Sequence, residues 1–165
     1  MANTKTVFII MGVSGTGKST IGKLLAQTLA IPFFDGDDFH PQANIDKMAS
    51  GQPLNDEDRY GWLSALNQLS IEHIEKGAII ACSALKSSYR EILNQNMDNG
   101  LQFIYLEGSF ELVKSRMEKR KSHFMPVELL KSQFETLEPP ENAIIVSIEH
   151  SPQALVLQIM NQLEK

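Results

Sequence analysis

Residues 12–19, GVSGTGKS, carry the pattern G-x-x-x-x-G-K-[ST]. This spacing serves phosphate binding. The glycines let backbone N–H groups turn inward around an anion with no Cβ in the way, and a helix starting at the lysine adds the partial positive charge of its N-terminus. Lys18 would reach the β and γ phosphates, and Ser19 would present its hydroxyl to Mg²⁺. A nucleoside triphosphate with magnesium is the expected ligand; the alternative is a glycine-rich strand-to-helix turn that binds nothing.

A second cluster, DGDD at 35–38, sets Asp35, Asp37 and Asp38 close behind the phosphate loop in sequence. A carboxylate beside a bound triphosphate can hold magnesium, directly or through water, and can take the proton of an attacking hydroxyl. The competing reading is a solvated turn, which Asp and Gly favour in any case. A third cluster, KSRMEKRK at 114–121, holds five of the fifteen basic residues. Arg116 and Arg120 are four apart and share one helix face, where planar guanidinium groups could clamp a transferring phosphoryl group and the helix could close over it. A solvated basic face near a helix C-terminus would look the same.

Three classes of protein use such a loop: GTP switches, ATP-driven motors and small-molecule kinases. Guanine readers carry Asn-Lys-x-Asp, and no Asn-Lys dipeptide occurs here. Motors end a buried strand in an acidic pair, whereas the corresponding stretch, AIIACSALK at 78–86, ends in Cys82 and Ser83. The magnesium carboxylate must come from elsewhere, with Asp35 and Asp37 the nearest supply. That arrangement suits transfer to an alcohol rather than to water.

The elements that must position these groups follow from periodicity. Apolar runs at 6–11, 31–34, 78–83, 101–108 and 142–148 alternate with helical patterns, which predicts five parallel strands covered by helices on both faces. Ile21, Leu24, Leu25, Thr28 and Leu29 mark one helix face after the loop. Trp62, Leu66, Leu69 and Ile74 mark another, ending at Gly77. Ser109 and Ser151 are candidate N-caps, the latter followed by Pro152. Residues 35–58 hold at most short helices.

The bulk numbers agree. A chain of 165 residues with 42% hydrophobic and 21% charged residues is expected to form a single domain spanning 1–165. A net charge of −5 disfavours a broad nucleic-acid surface. Cys82 is the single cysteine, the four histidines lack zinc-site spacing, and no stretch approaches a membrane span or a signal peptide. A cytoplasmic protein with no membrane or nucleic-acid partner is expected.

The segments MGVSGTGKST, DGDDFHPQANIDKMASGQPLNDEDR, CSALKSSYR and RMEKRKSHFMPVELLKSQFETLE closely resemble the gluconokinase family, over about residues 7–150. The resemblance implies ATP-dependent phosphorylation of D-gluconate at its 6-hydroxyl. It also implies a three-layer α/β/α P-loop fold similar to nucleoside monophosphate and shikimate kinases, and a homodimer. Carried over by motif, Gly12, Val13, Ser14, Gly15, Thr16, Gly17, Lys18, Ser19 and Thr20 bind ATP, a lid over about 114–138 carries Arg116 and Arg120, and the substrate region is about 36–60. His40, Lys47, Arg59, Lys86 and Arg90 lie in the motifs around gluconate. Residues 35–59 and 83–90 provide, with Asp37, Asn44 and Ser83, both hydroxyl-binding groups and cations for a linear polyol acid. Asp37 is the favoured base and Asp35, with Ser19, the favoured magnesium ligand. The nearest rival is another small P-loop kinase such as one for shikimate, against which stands CSALK in place of a glycine run; a nucleotide-holding protein without turnover is the rival from another class. One departure is visible: the family usually has proline where Gly61 precedes Trp62.

Overall fold

The structure, a computed structural model, describes residues 6–119 and 126–164. Strand β1 (Val7–Met11) is buried at every position because it lies mid-sheet with an apolar layer on each face. Its side chains alternate between two cores, as period-two geometry requires. Phe8 and Ile10 pack with Ile21, Leu25, Ile104, Leu155 and Ile159; Val7, Ile9 and Met11 pack with Leu63, Leu66, Ile80, Tyr89 and Leu93.

The chain continues through α1 (Lys18–Leu29), β2 (Phe33–Asp35), a 3₁₀ turn (Gly36–Phe39), α2 (Gln42–Ala49), α3 (Asp56–Glu72), β3 (Ala78–Ala81), α4 (Ser87–Leu93) and β4 (Leu101–Glu107). It ends with α5 (Phe110–Lys119), α6 (Val127–Thr136), β5 (Ile144–Ser147) and α7 (Pro152–Leu163). The five strands are parallel in the order β2-β3-β1-β4-β5. In such sheets ligands sit beyond the carboxyl ends of the strands, and the phosphate loop leaves β1 there.

The expected five-stranded α/β architecture is present, with differences at its boundaries. β2 runs Phe33–Asp35 rather than 31–34, because Ile31 is used by α1: its N–H donates to the Ala26 carbonyl at 3.0 Å. Asp35 is therefore the last residue of the strand, level with Ala81 of β3. α3 stops at His73, and a further turn closes where Gly77 (φ 88°) donates to the His73 carbonyl at 2.7 Å. Thr28 is exposed and bonds its own helix backbone, while Gly22 and Ala26 join Ile21 and Leu25 on the buried face of α1. Ser109 and Ser151 cap as expected, accepting from the N–H groups of Leu112 and Ala154. Gly61 lies inside α3, not in a turn.

Two glycines give opposite predictions. A Cβ at Gly36 would lie 2.4 Å from the Ala81 carbonyl oxygen, whereas one at Gly61 would meet nothing within 4 Å. Gly36→Ala is expected to cost about 1–3 kcal/mol through the forced backbone shift. Gly61→Ala is expected to stabilise by about 0.5–1 kcal/mol, the helix-interior penalty of glycine. Urea denaturation of the two variants checks both signs.

Candidate active site

The loop after β1 is shaped by three left-handed glycines, Gly12 (φ 146°), Gly15 (φ 85°) and Gly17 (φ 96°). A Cβ at Gly12 would strike the Leu106 carbonyl oxygen at 2.9 Å, and one at Gly15 would strike Met117 at 2.8 Å; at Gly17 it would find open space. Buried Thr16 ties the loop by donating to the Val13 carbonyl at 2.9 Å. Lys18 donates to the Gly12 and Val13 carbonyls, both at 3.0 Å, so its ammonium lies inside the loop. Burial lowers its pKa, opposed by the charges of Asp37, Cys82 and Asp35. Helix α1 starts with neither a side-chain cap nor a first-turn acid, leaving its terminal N–H groups and dipole for an anion.

The expected metal pair is brought together. Ser19 Oγ donates to Asp35 Oδ2 over a long 3.5 Å, while Asp35 Oδ1 accepts from the Asp37 N–H at 3.0 Å. That second bond caps the 3₁₀ turn and fixes where Asp37 begins. The Asp37 side chain is 84% exposed, with His40 Nε2 at 3.9 Å. Partial loss of hydration, then the neighbouring Asp35 charge, raise its pKa, with Lys18 and His40 opposing. Both aspartates keep their expected places, differing in how firmly each is held.

His40, Asn44, Asp58 and Trp62 form a connected wall beside Asp37. Trp62 donates to the Gly36 carbonyl at 2.7 Å and stacks on His40 at a centroid distance of 4.1 Å. Asn44, 4% exposed, reaches the Asp58 carbonyl at 3.0 Å and His40 Nδ1 at 3.2 Å. An amide donor at Nδ1 makes that nitrogen the acceptor, so the ring proton lies on Nε2, 3.9 Å from Asp37. Burial lowers the His40 pKa, and Asp37 resists the fall.

The first turn of α3 joins the flanking helices. Asp58 completes a capping box with Asn55 and also holds Lys47 at 2.5 Å. Asp56 accepts from Tyr89 Oη at 2.5 Å and from Lys86 at 3.1 Å, and Arg59 donates to the same phenol at 3.0 Å. The Tyr89 hydroxyl is the leading cause that holds Asp56 below its ordinary range, and Lys47 does the same for Asp58. The sequence reading missed both aspartates, although Asn-x-x-Asp ahead of a helical run resembles the capping-box signature.

Arg90 is tied to backbone at two points. Its guanidinium spans the carbonyls of Ala84 and Glu138, both at 2.8 Å, so part of its donor set is spent on backbone. Ser83 contributes its carbonyl to the Gly12 N–H at 3.2 Å, tying the third strand's end to the phosphate loop. Cys82 is buried and its thiol is pushed up to about 12 by burial, as suits an inert core residue. Arg116 donates to the Ile148 carbonyl and lines a cavity of about 390 Å³ with Gly15, Gly17, Thr20, Glu149, His150, Pro152 and Leu155. Glu149, His150, Ser151, Pro152 and Leu155 line this cavity although no chemical motif marks them in the sequence. Arg120 and His123 lie outside the described residues.

The family model described as Shikimate kinase matches residues 14–164, which leaves the acceptor open among related small-molecule kinases. Thermoresistant gluconokinase of Escherichia coli (strain K12) is 42% identical, with 96% of this chain and 94% of that protein covered. The chain belongs to the gluconokinase family. Thermosensitive gluconokinase of the same organism is 51% identical over 81% of this chain and 72% of its own length. The crystal structure of a gluconokinase from Sinorhizobium meliloti 1021 superposes with a TM-score of 0.90 at 38% identity, covering 98% of this chain and 93% of that one. The fold resemblance to gluconokinases therefore extends over the sheet and its flanking helices. No helix among the described residues is long and apolar enough to cross a membrane.

The Asp37 shift has a stability consequence. A carboxyl raised above its ordinary value of 3.8 contributes stability that is fully present below that value and is lost as pH rises through the folded value. At neutral pH the charge is a burden on the fold. Asp37→Asn is expected to raise the Tm at pH 7, with the gain shrinking as pH falls through the carboxylate range; calorimetry across that range reads it.

Proposed function

We propose that this chain transfers the terminal phosphoryl group of ATP to the 6-hydroxyl of D-gluconate, giving 6-phospho-D-gluconate and ADP. The observation that carries the reading is the meeting of Lys18, Ser19, Asp35 and Asp37 at one sheet edge, next to a wall of polar and cationic side chains. Its gluconokinase relatives direct the acceptor to gluconate. We read residues 36–60 as the acceptor region and 114–138 as the lid.

When bound, ATP would supply the phosphoryl group, and magnesium would offset the charge of its phosphates. The residues fit such a ligand: an uncapped helix start, open space beside Gly17 and a hydroxyl–carboxylate pair next to the loop. Ser19 and Asp35 would hold the metal. Lys18, already inside the loop, would counter phosphate charge, and the amides of residues 12–20 other than those of Gly12 and Ser14, which donate to Ser83 and Gln133, would cradle it.

Asp37 takes the proton of the 6-hydroxyl as that oxygen bonds to phosphorus. Its raised pKa makes it a better proton acceptor than an ordinary aspartate, and its exposure leaves it open to an acceptor. Asp35 is less suited, since both its oxygens already accept hydrogen bonds. His40, Lys47, Arg59, Ser83, Lys86 and Arg90 supply the polar wall for a polyol acid, with the cations facing its carboxylate end. Arg116 and Arg120 counter the charge of the transferred group. The cavity floored by Pro152 and Leu155 suits the flat face of a nucleotide base.

A coupled ADP-release assay over gluconate, other aldonic acids, shikimate and nucleoside monophosphates is expected to show turnover with gluconate foremost. Background rates with gluconate would sink the proposal, and turnover with shikimate alone would transfer the chain to the rival acceptor. Asp37→Asn is expected to lower kcat far more than it raises KM for gluconate, because a base acts in the transition state. A pure KM effect would make Asp37 a binder only.

A further inference from the structure

Among the side chains that touch the phosphate loop, Gln133 of α6, inside the stretch read as the lid, has no individual role in the scheme above. Its Oε1 accepts from the Ser14 backbone N–H at 2.8 Å, and its Nε2 donates to Ser14 Oγ at 3.1 Å. Both ends of one amide are thus spent on the apex of the loop, 119 residues away in sequence. Next to Ser14 is left-handed Gly15, which packs against Met117 and Val113 of α5. The apex is therefore shaped from outside by two helices. Thr16, by contrast, braces the loop from within.

The far end of α6 is also fastened. Glu138 N–H donates to the Leu85 carbonyl at 2.8 Å, its carboxylate accepts from the Ser87 N–H at 2.9 Å, and its carbonyl accepts from Arg90 at 2.8 Å. Gln133 thus projects from a segment held against the loop that follows β3. The anchorage limits the freedom of its side chain, and a held donor–acceptor pair shapes a flexible loop better than a mobile one does.

We propose that Gln133 is a positioning residue for nucleotide binding, holding the apex of the phosphate loop in its anion-accepting shape by taking up the Ser14 N–H. The inference rests on the reading of residues 12–20 as the triphosphate site. It does not depend on gluconate being the acceptor. Gln133 acts on the loop, not on the reacting atoms, so it governs how tightly nucleotide is held more than how fast phosphoryl transfer proceeds.

The test is equilibrium binding of a non-hydrolysable ATP analogue with magnesium to full-length protein by calorimetry, with gluconate kinetics run in parallel. Gln133→Leu keeps the bulk and loses both bonds; it is expected to weaken nucleotide binding about five- to tenfold, with kcat for gluconate within about twofold. Gln133→Glu keeps acceptors for the Ser14 N–H and hydroxyl but sets a negative charge beside the triphosphate. It is expected to weaken nucleotide binding in a way that salt relieves. Wild-type affinity in folded Gln133→Leu overturns the proposal. If that variant does not fold, Gln133→Glu decides by the same measurement, and failure of both to fold also overturns it by making the contact purely structural. Wild-type protein that binds nucleotide but leaves gluconate untouched would refute the acceptor assignment while the binding comparison still judges Gln133.

Discussion

The approach of Ser19 to Asp35 is the contact on which the site depends, and it has to be made across an intervening strand. In the order β2-β3-β1, the loop that carries Ser19 and the strand that ends in Asp35 are not neighbours. They reach one another over the end of β3 at Ala81 and the residues that follow it, Cys82, Ser83 and Ala84, whose side chains are small. A bulky or charged residue there would separate hydroxyl from carboxylate. The third strand ends without an acidic pair, and the carboxylate nearest Ser19 lies one strand over, at the end of β2.

Gly36 and Trp62 convert that contact into a position for Asp37. Gly36 lies close enough to Ala81 that no side chain fits, and its carbonyl is held by the Trp62 indole. The turn that follows is capped by Asp35 itself. One carboxylate thus faces the phosphate loop and at the same time aims the next, which explains why the two aspartates differ. Asp35 is held by its bonds, and Asp37 is left accessible with a raised pKa.

The cationic wall beside Asp37 is organised by a helix start. Asp56 and Asp58, in the first turn of α3, are favoured there by the helix dipole and gather Lys47 from α2 and Lys86 and Tyr89 from α4. Cations expected for a substrate carboxylate therefore arrive already facing acids of the protein. Such pairing keeps long side chains in place over a partly exposed surface, although exposed pairs of this kind add little to stability.

The sequence by itself determined the elements and the chemical inventory. Parallel strands buried on both faces must be continuous apolar runs, so β1 and β3 were legible; β4 and β5, though partly exposed, carry similar apolar runs, and the spacing of the phosphate loop and its helix is a local matter of backbone conformation. Ser109 and Ser151 could be read as caps for the same reason. Tertiary structure alone decided which partners each side chain takes: Arg90 on the carbonyls of Ala84 and Glu138, Gln133 on Ser14, Arg116 on Ile148, and the cavity at 149–155. These contacts join residues far apart in sequence, and most end on backbone carbonyls or N–H groups, which every residue carries. No residue type or spacing can advertise such a partner; strand order and helix packing bring it within reach.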